Sequence, residues 1–108
     1  MQHTNPYQAA KDIEATIIRL TADTLEMDQR LAADIRTVRR EMTDARLDIR
    51  DYELAETRAE QMQLARACRK RLAAVRTHIS ALGTQRVLGG VDVAHLSARL
   101  EQLDAALV

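Results

Sequence analysis

The chain has no Phe or Trp and only two Tyr, Tyr7 and Tyr52. Aromatic side chains bury the most area per residue, so a core here has to come from Leu, Ile, Val, Met and many Ala. The only cysteine, Cys68, excludes an internal disulfide framework and every multi-cysteine zinc motif, and suits a reducing compartment. No apolar run approaches the roughly 20 residues that a bilayer span requires. The start, Met-Gln-His-Thr-Asn-Pro, has neither the basic beginning nor the apolar centre of a signal peptide. A soluble protein is expected, in the cytoplasm or within a phage particle. Net charge is missing too: 16 basic and 16 acidic side chains cancel, so no overall field draws in nucleic acid or an anionic membrane.

Glycine and proline are scarce, and where they fall divides the chain. After Pro6 neither occurs until Gly83. Asn5 can cap a helix, Pro6 suits its first position, and Gln8 stands where a capping-box partner reaches back. Apolar residues then recur at helical steps of three and four: Ala10, Ile13, Ile17, Leu20, Thr24, Met27, Leu31. Leu31, Ile35 and Val38 form a stutter, after which Met42, Ala45, Ile49 and Tyr52 resume the stripe. An Ala-rich patch through Ala55, Ala59, Met62 and Ala65 leads to Cys68, Leu72, Val75, Ile79 and Leu82. This pattern predicts one long helix over 6–82, preceded by a tail at 1–5. A bend near 43–51 is the alternative, although that stretch holds no Gly, Pro or Asn.

Gly83 reads as a helix C-cap, and 83–91 as a loop containing three glycines. Asp92 then caps a last helix over 92–107, whose Val93, Leu96, Leu100, Leu103 and Leu107 keep a heptad stripe. It is expected to pack back on 68–82. The fold class is therefore all-α, a long coiled-coil-type helix with a C-terminal helical hairpin; an antiparallel three-helix bundle is the alternative.

Charge is segregated along the chain. Residues 1–60 carry 9 basic and 13 acidic groups, 61–91 carry 6 basic and none acidic, and 92–108 carry 1 basic and 3 acidic. The acidic front and basic middle attract when two copies lie antiparallel or when the chain bends back on itself. Glu101 and Asp104 are placed to satisfy Arg71 and Arg76 within one chain. Arginine outnumbers lysine, 14 to 2, which fits a GC-rich bacterial or phage genome.

The basic run Arg66, Arg69, Lys70, Arg71 and Arg76, with Arg86 beyond it, is the leading candidate for binding an anion or an acidic partner. No aromatic residues are interleaved for base stacking, so pairing with acids of another helix is the plainer reading and nucleic acid the lesser one. Cys68 has cationic neighbours that favour a thiolate, but its place on the stripe argues for a small buried side chain. His3, His78 and His95 are widely spaced, with no HExxH or paired-carboxylate arrangement. A zinc site from Cys68, His78 and His95 is geometrically conceivable, with surface histidine the default. Leu88-Gly89-Gly90 follows no strand and is not a phosphate loop.

The sequence thus predicts no catalytic residues, no cofactor and no metal. It points to a non-enzymatic structural, scaffolding or adaptor protein, acting by helix-helix association as a homo-oligomer and within a larger complex. The expected contact stripe is Ile13, Ile17, Leu20, Met27, Leu31, Ile35, Val38, Met42, Ile49 and Tyr52. The expected hairpin core is Leu72, Val75, Ile79, Leu82, Leu96, Leu100 and Leu103. Two rivals are a helical inhibitor or regulator of one foreign protein and a nucleic-acid-binding regulator that uses 66–86.

Overall fold

A computed structural model describes residues 5–107, and its regular structure is four helices: α1 Pro6–Met27, α2 Gln29–Leu54, α3 Arg58–Thr84 and α4 Gly90–Ala106. Each start has a local cause. The Asn5 side chain accepts from the Tyr7 N–H at 2.8 Å, and Pro6 opens α1. Gln8 does not reach back to a cap; its amide donates to Asp12 at 3.0 Å. Asp28 caps α2 by accepting from the Arg30 N–H at 2.9 Å. Thr57 caps α3 through the Glu60 N–H at 3.1 Å.

The single helix expected over 6–82 is therefore replaced by three. Asp28 leaves helical geometry (φ −134°, ψ 102°), and residues 55–57 make the second break. The region 43–51, where a bend was the alternative, lies inside α2. A lone helix of that length would leave its stripe in water, and helices in proteins draw most of their stability from packing an apolar face. Folding back twice supplies that packing within one chain. Neither break uses glycine or proline; both use a side chain that satisfies free N–H groups at the next helix start.

The C-terminal boundaries shift as well. Gly83 lies inside α3, and α4 begins at Gly90 with Gly89 as its N-cap, which leaves Asp92 in the first turn rather than at the cap. Helix α3 closes with a Schellman pattern in which Val87 N–H bonds Leu82 C=O at 2.9 Å and Arg86 N–H bonds Gly83 C=O at 3.1 Å. The residue that takes the left-handed conformation is Arg86, at φ 63°. Gly83 serves a different purpose: a Cβ there would stand 2.7 Å from Val93 Cγ2, so its bareness lets α4 approach α3 closely.

Helix α2 packs against α1 and α3, and α4 packs against α3 and α1, while among the described residues no Cα of α1 comes within 8 Å of one in α3, nor any of α2 within 8 Å of one in α4. The cross-helix pairs Glu14 with Thr43, Arg71 with Asp44 and Arg69 with Asp104 make successive helices antiparallel. All four helices contribute to one core, built mainly of Ile, Leu and Val with Met42, Cys68 and small Ala10, Ala45 and Ala65. Thr21 is the one buried polar residue among those described; its hydroxyl donates to Ile17 C=O and accepts from Arg39. The radius of gyration is 14.2 Å with extents of 45 × 30 × 17 Å, against about 13 Å for a globular chain of this length. Among the described residues, no helix is long and apolar enough to cross a membrane.

Candidate functional surface

The stripe expected to contact another molecule is largely spent inside this one. Ile13, Ile17, Ile35, Val38, Met42 and Ile49 are fully buried in the chain's own core, and Leu20, Leu31 and Tyr52 are half-buried against it. Met27 stands apart: it lies on the stripe yet is 85% exposed. Leu72, Val75, Ile79, Leu82, Leu96, Leu100 and Leu103 are buried too, but they share one core with α1 and α2 rather than forming a separate hairpin core.

Much of the segregated charge is spent the same way. Arg71 Nε lies 2.8 Å from Asp48 Oδ2, and its Nη1 donates to Asp44 at 3.3 Å. His78 Nδ1 lies 2.8 Å from Glu41 Oε2. Glu14 of α1 accepts from Thr43 at 2.6 Å and from Arg46 at 3.0 Å, while Arg46 also donates to the Tyr7 hydroxyl at 2.9 Å. Asp104 pairs with Arg69 at 3.9 Å, not with Arg71 or Arg76 as the sequence suggested, because α3 turns Arg71 toward the carboxylates of α2. Arg69 also donates to the Leu107 carbonyl. Such partly exposed pairs contribute at most about 1 kcal/mol each, so they tune register more than they hold the fold.

The basic run therefore splits. Arg69 and Arg71 are committed within the chain, whereas Arg66 and Lys70 are exposed and make no ion pair among the described residues. These two stand one turn apart along α3, on the rim of a shallow groove of ≈ 400 Å³ whose other walls are Met62, Ala65, Arg69 and Ala73. Met62 is 47% exposed, and Leu54, 71% exposed, lies on the other side of the α2–α3 connection. Leu54 carried no sequence signal because it is off the stripe, and Met62 was read as part of the Ala-rich stripe.

Cys68 is buried, with Sγ 3.6 Å from the Ala45 carbonyl oxygen. Burial pushes its thiol up to about 12, and Asp48 and Asp104 add to that against the opposing field of Arg71. The cationic neighbours that suggested a reactive thiolate point elsewhere. His78 is engaged with Glu41 and His95 is exposed; among the described residues no three His, Cys, Asp or Glu side chains form a cluster able to hold a metal ion. His3 lies outside the described residues.

A second, smaller cleft of ≈ 280 Å³ opens between α1 and α4, with Ile13 and Leu103 at its apolar base and Asp12 and Arg99 among its lining residues. Neither cleft brings together a nucleophile, a base and an orienting group. No family model matches the chain, and neither a curated protein nor a solved structure resembles it significantly.

Proposed function

We propose that the chain is a non-enzymatic helical association element, a scaffolding or adaptor subunit folded as an up-and-down four-helix bundle. The surface it offers to a protein partner is the basic, apolar-floored face of α3. The observation that carries this reading is the contrast along one helix: Arg69 and Arg71 are paired within the chain, while Arg66 and Lys70 line an open groove with exposed Met62. A groove floored by Ala65, Ala73 and Met62 accommodates an apolar helix stripe, and the flanking cations favour a partner with acidic flanks.

The test uses a fluorescent amphipathic peptide with a leucine stripe flanked by glutamates as the probe. Binding is expected to weaken as salt rises and to be lost in Arg66→Glu/Lys70→Glu, with helicity by circular dichroism unchanged. Binding that survives the double substitution removes this surface from the proposal. The absence of acidic residues over 61–91 favours one second reading, a nucleic-acid-binding regulator. That reading requires retardation of duplex DNA or RNA at low salt with a steep salt slope, and no retardation eliminates it.

A further inference from the structure

We infer that the Asp28 break is a hinge that can straighten, and that the chain then exchanges α1 with a second copy of itself to form a domain-swapped dimer. Between α1 and α2 only Asp28 departs from helical geometry. Antiparallel helices are ordinarily joined by about 2–8 residues, and short hinge connections are the ones that favour exchange of an element between copies. No glycine or proline lies at Met27-Asp28-Gln29 to forbid a helix there.

The apolar pattern points the same way. The stripe Ile17, Leu20, Thr24, Met27, Leu31, Ile35 passes through Asp28 at steps of three and four. In the folded-back chain that stripe is broken at the hinge, where Met27 is 85% exposed and Leu31 only half-buried between buried Ile17 and Ile35. A straight helix over 6–54 would be ~74 Å long at 1.5 Å per residue and would carry one unbroken stripe. Two such helices crossing antiparallel at their hinges would cover Met27 and Leu31 with each other. Continuing the register set by Glu14 opposite Thr43 brings Glu26 of each copy close to Arg30 of the other and also brings the two Asp28 side chains together, a repulsion that favours the folded-back state and that Asp28→Ala removes.

The ties of α1 also suit exchange. Among the described residues its side-chain hydrogen bonds to other helices all go to α2: Arg39 to Thr21 and to the Ile18 carbonyl, Thr43 and Arg46 to Glu14, and Arg46 to Tyr7. Among the described residues no hydrogen bond or ion pair joins α1 to α4. In the swapped dimer every one of these bonds re-forms between copies. The two states therefore differ at the hinge and in the entropy of association, and chain concentration shifts the balance between them.

This inference does not rest on the α3 surface, and its test separates the two. Glu14→Cys and Thr43→Cys are introduced together in a Cys68→Ser background, and the chain is refolded from urea at a series of concentrations before oxidation. A folded-back chain gives a cross-linked monomer on a non-reducing gel, whereas a swapped pair gives a covalent dimer. The covalent dimer is expected to grow with concentration, to rise at least tenfold with Asp28→Ala, and to disappear when Gly-Ser-Gly is inserted after Asp28. Arg66→Glu/Lys70→Glu should leave it unchanged. Circular dichroism melts identify variants that fail to fold, and the unmodified hinge at the highest concentration stands as the control. Monomeric cross-links alone in Asp28→Ala, or a dimer that persists after the insertion, overturn the inference.

Discussion

Along the α2–α3 seam, Met42, Ala45 and Ile49 are buried with Cys68, Leu72 and Val75, and Arg71 and His78 reach across to Asp44, Asp48 and Glu41. Along the α1–α4 seam the apolar side chains Ile13 and Leu103 meet beside a ≈ 280 Å³ cleft. There Asp12 and Arg99 line the opening without an ion pair between them. The two seams have similar helices but different positions in the chain. Helices α2 and α3 are joined by three residues, so their pairing costs little loop closure; α1 and α4 lie at opposite ends of the described chain, so their pairing carries a higher closure cost. The seam with the higher closure cost is also the one that carries the cleft.

The largest expected consequence of that contrast is chemical. A thiolate is the reactive form of cysteine, and with its thiol at about 12 Cys68 is almost wholly protonated at pH 8. Its alkylation is expected to run on the order of 10³-fold slower than that of an ordinary cysteine near 8.5. An Ala9→Cys variant in a Cys68→Ser background places a thiol on the α1–α4 cleft, where it should react at close to the ordinary rate. Following iodoacetamide labelling by mass spectrometry checks both, and similar rates at the two sites would erase the distinction between the seams.

Truncation gives the next largest effect. Leu72→Ala removes a fully buried side chain from the tight seam, where little can move to fill the space, and should cost about 3–4 kcal/mol. Ile13 is also buried, yet it lines the cleft, so neighbours there have room to collapse and Ile13→Ala should cost nearer 2 kcal/mol. Urea denaturation with circular dichroism compares the two. Equal losses would mean that the cleft does not weaken its seam.

These contrasts were only partly legible in the sequence. The helical class followed from the stripe, because positions such as Ile13, Ile17, Ile35 and Met42 recur at helical spacing and need a packed face. What the stripe did not reveal was whose face covers it. A heptad pattern reads the same whether the opposing helix belongs to another copy or to the same chain, so residues assigned to an oligomer contact lie in the chain's own core. The breaks were missed because punctuation was sought in Gly and Pro. The signal at the second one was present: Thr57-Arg58-Ala59-Glu60 has the spacing of a capping box. Asp28 gave less, since an aspartate inside an apolar stripe is also an ordinary solvated position. The basic run was visible as composition, but its division among the described residues into paired Arg69 and Arg71 and unpaired Arg66 and Lys70 depends on where α2 and α4 lie.

The smallest effect sharpens the account of the tight seam itself. Asp48 has its carboxyl raised above the usual range chiefly by burial, opposed by Arg71 and reinforced by Asp44 and Asp51. Arg71 Nε is 2.8 Å away, but off the line that a hydrogen bond needs, so Oδ2 is buried without a hydrogen-bond partner. Because the folded-state value lies above the unfolded one, the protonated carboxyl favours the fold. That contribution is complete below the unfolded value of about 3.9 and is lost as pH rises through the folded value. At pH 7 the charged form is therefore a net cost, and Asp48→Asn, which keeps the shape and removes the charge, should stabilise the chain by less than about 1 kcal/mol. The gain should shrink toward zero as pH falls below the usual carboxylate range. Urea midpoints for both chains at pH 7 and pH 4 decide it. If the asparagine variant is the less stable at pH 7, attraction to Arg71 outweighs burial, and the ion pairs strengthen the α2–α3 seam rather than merely setting its register.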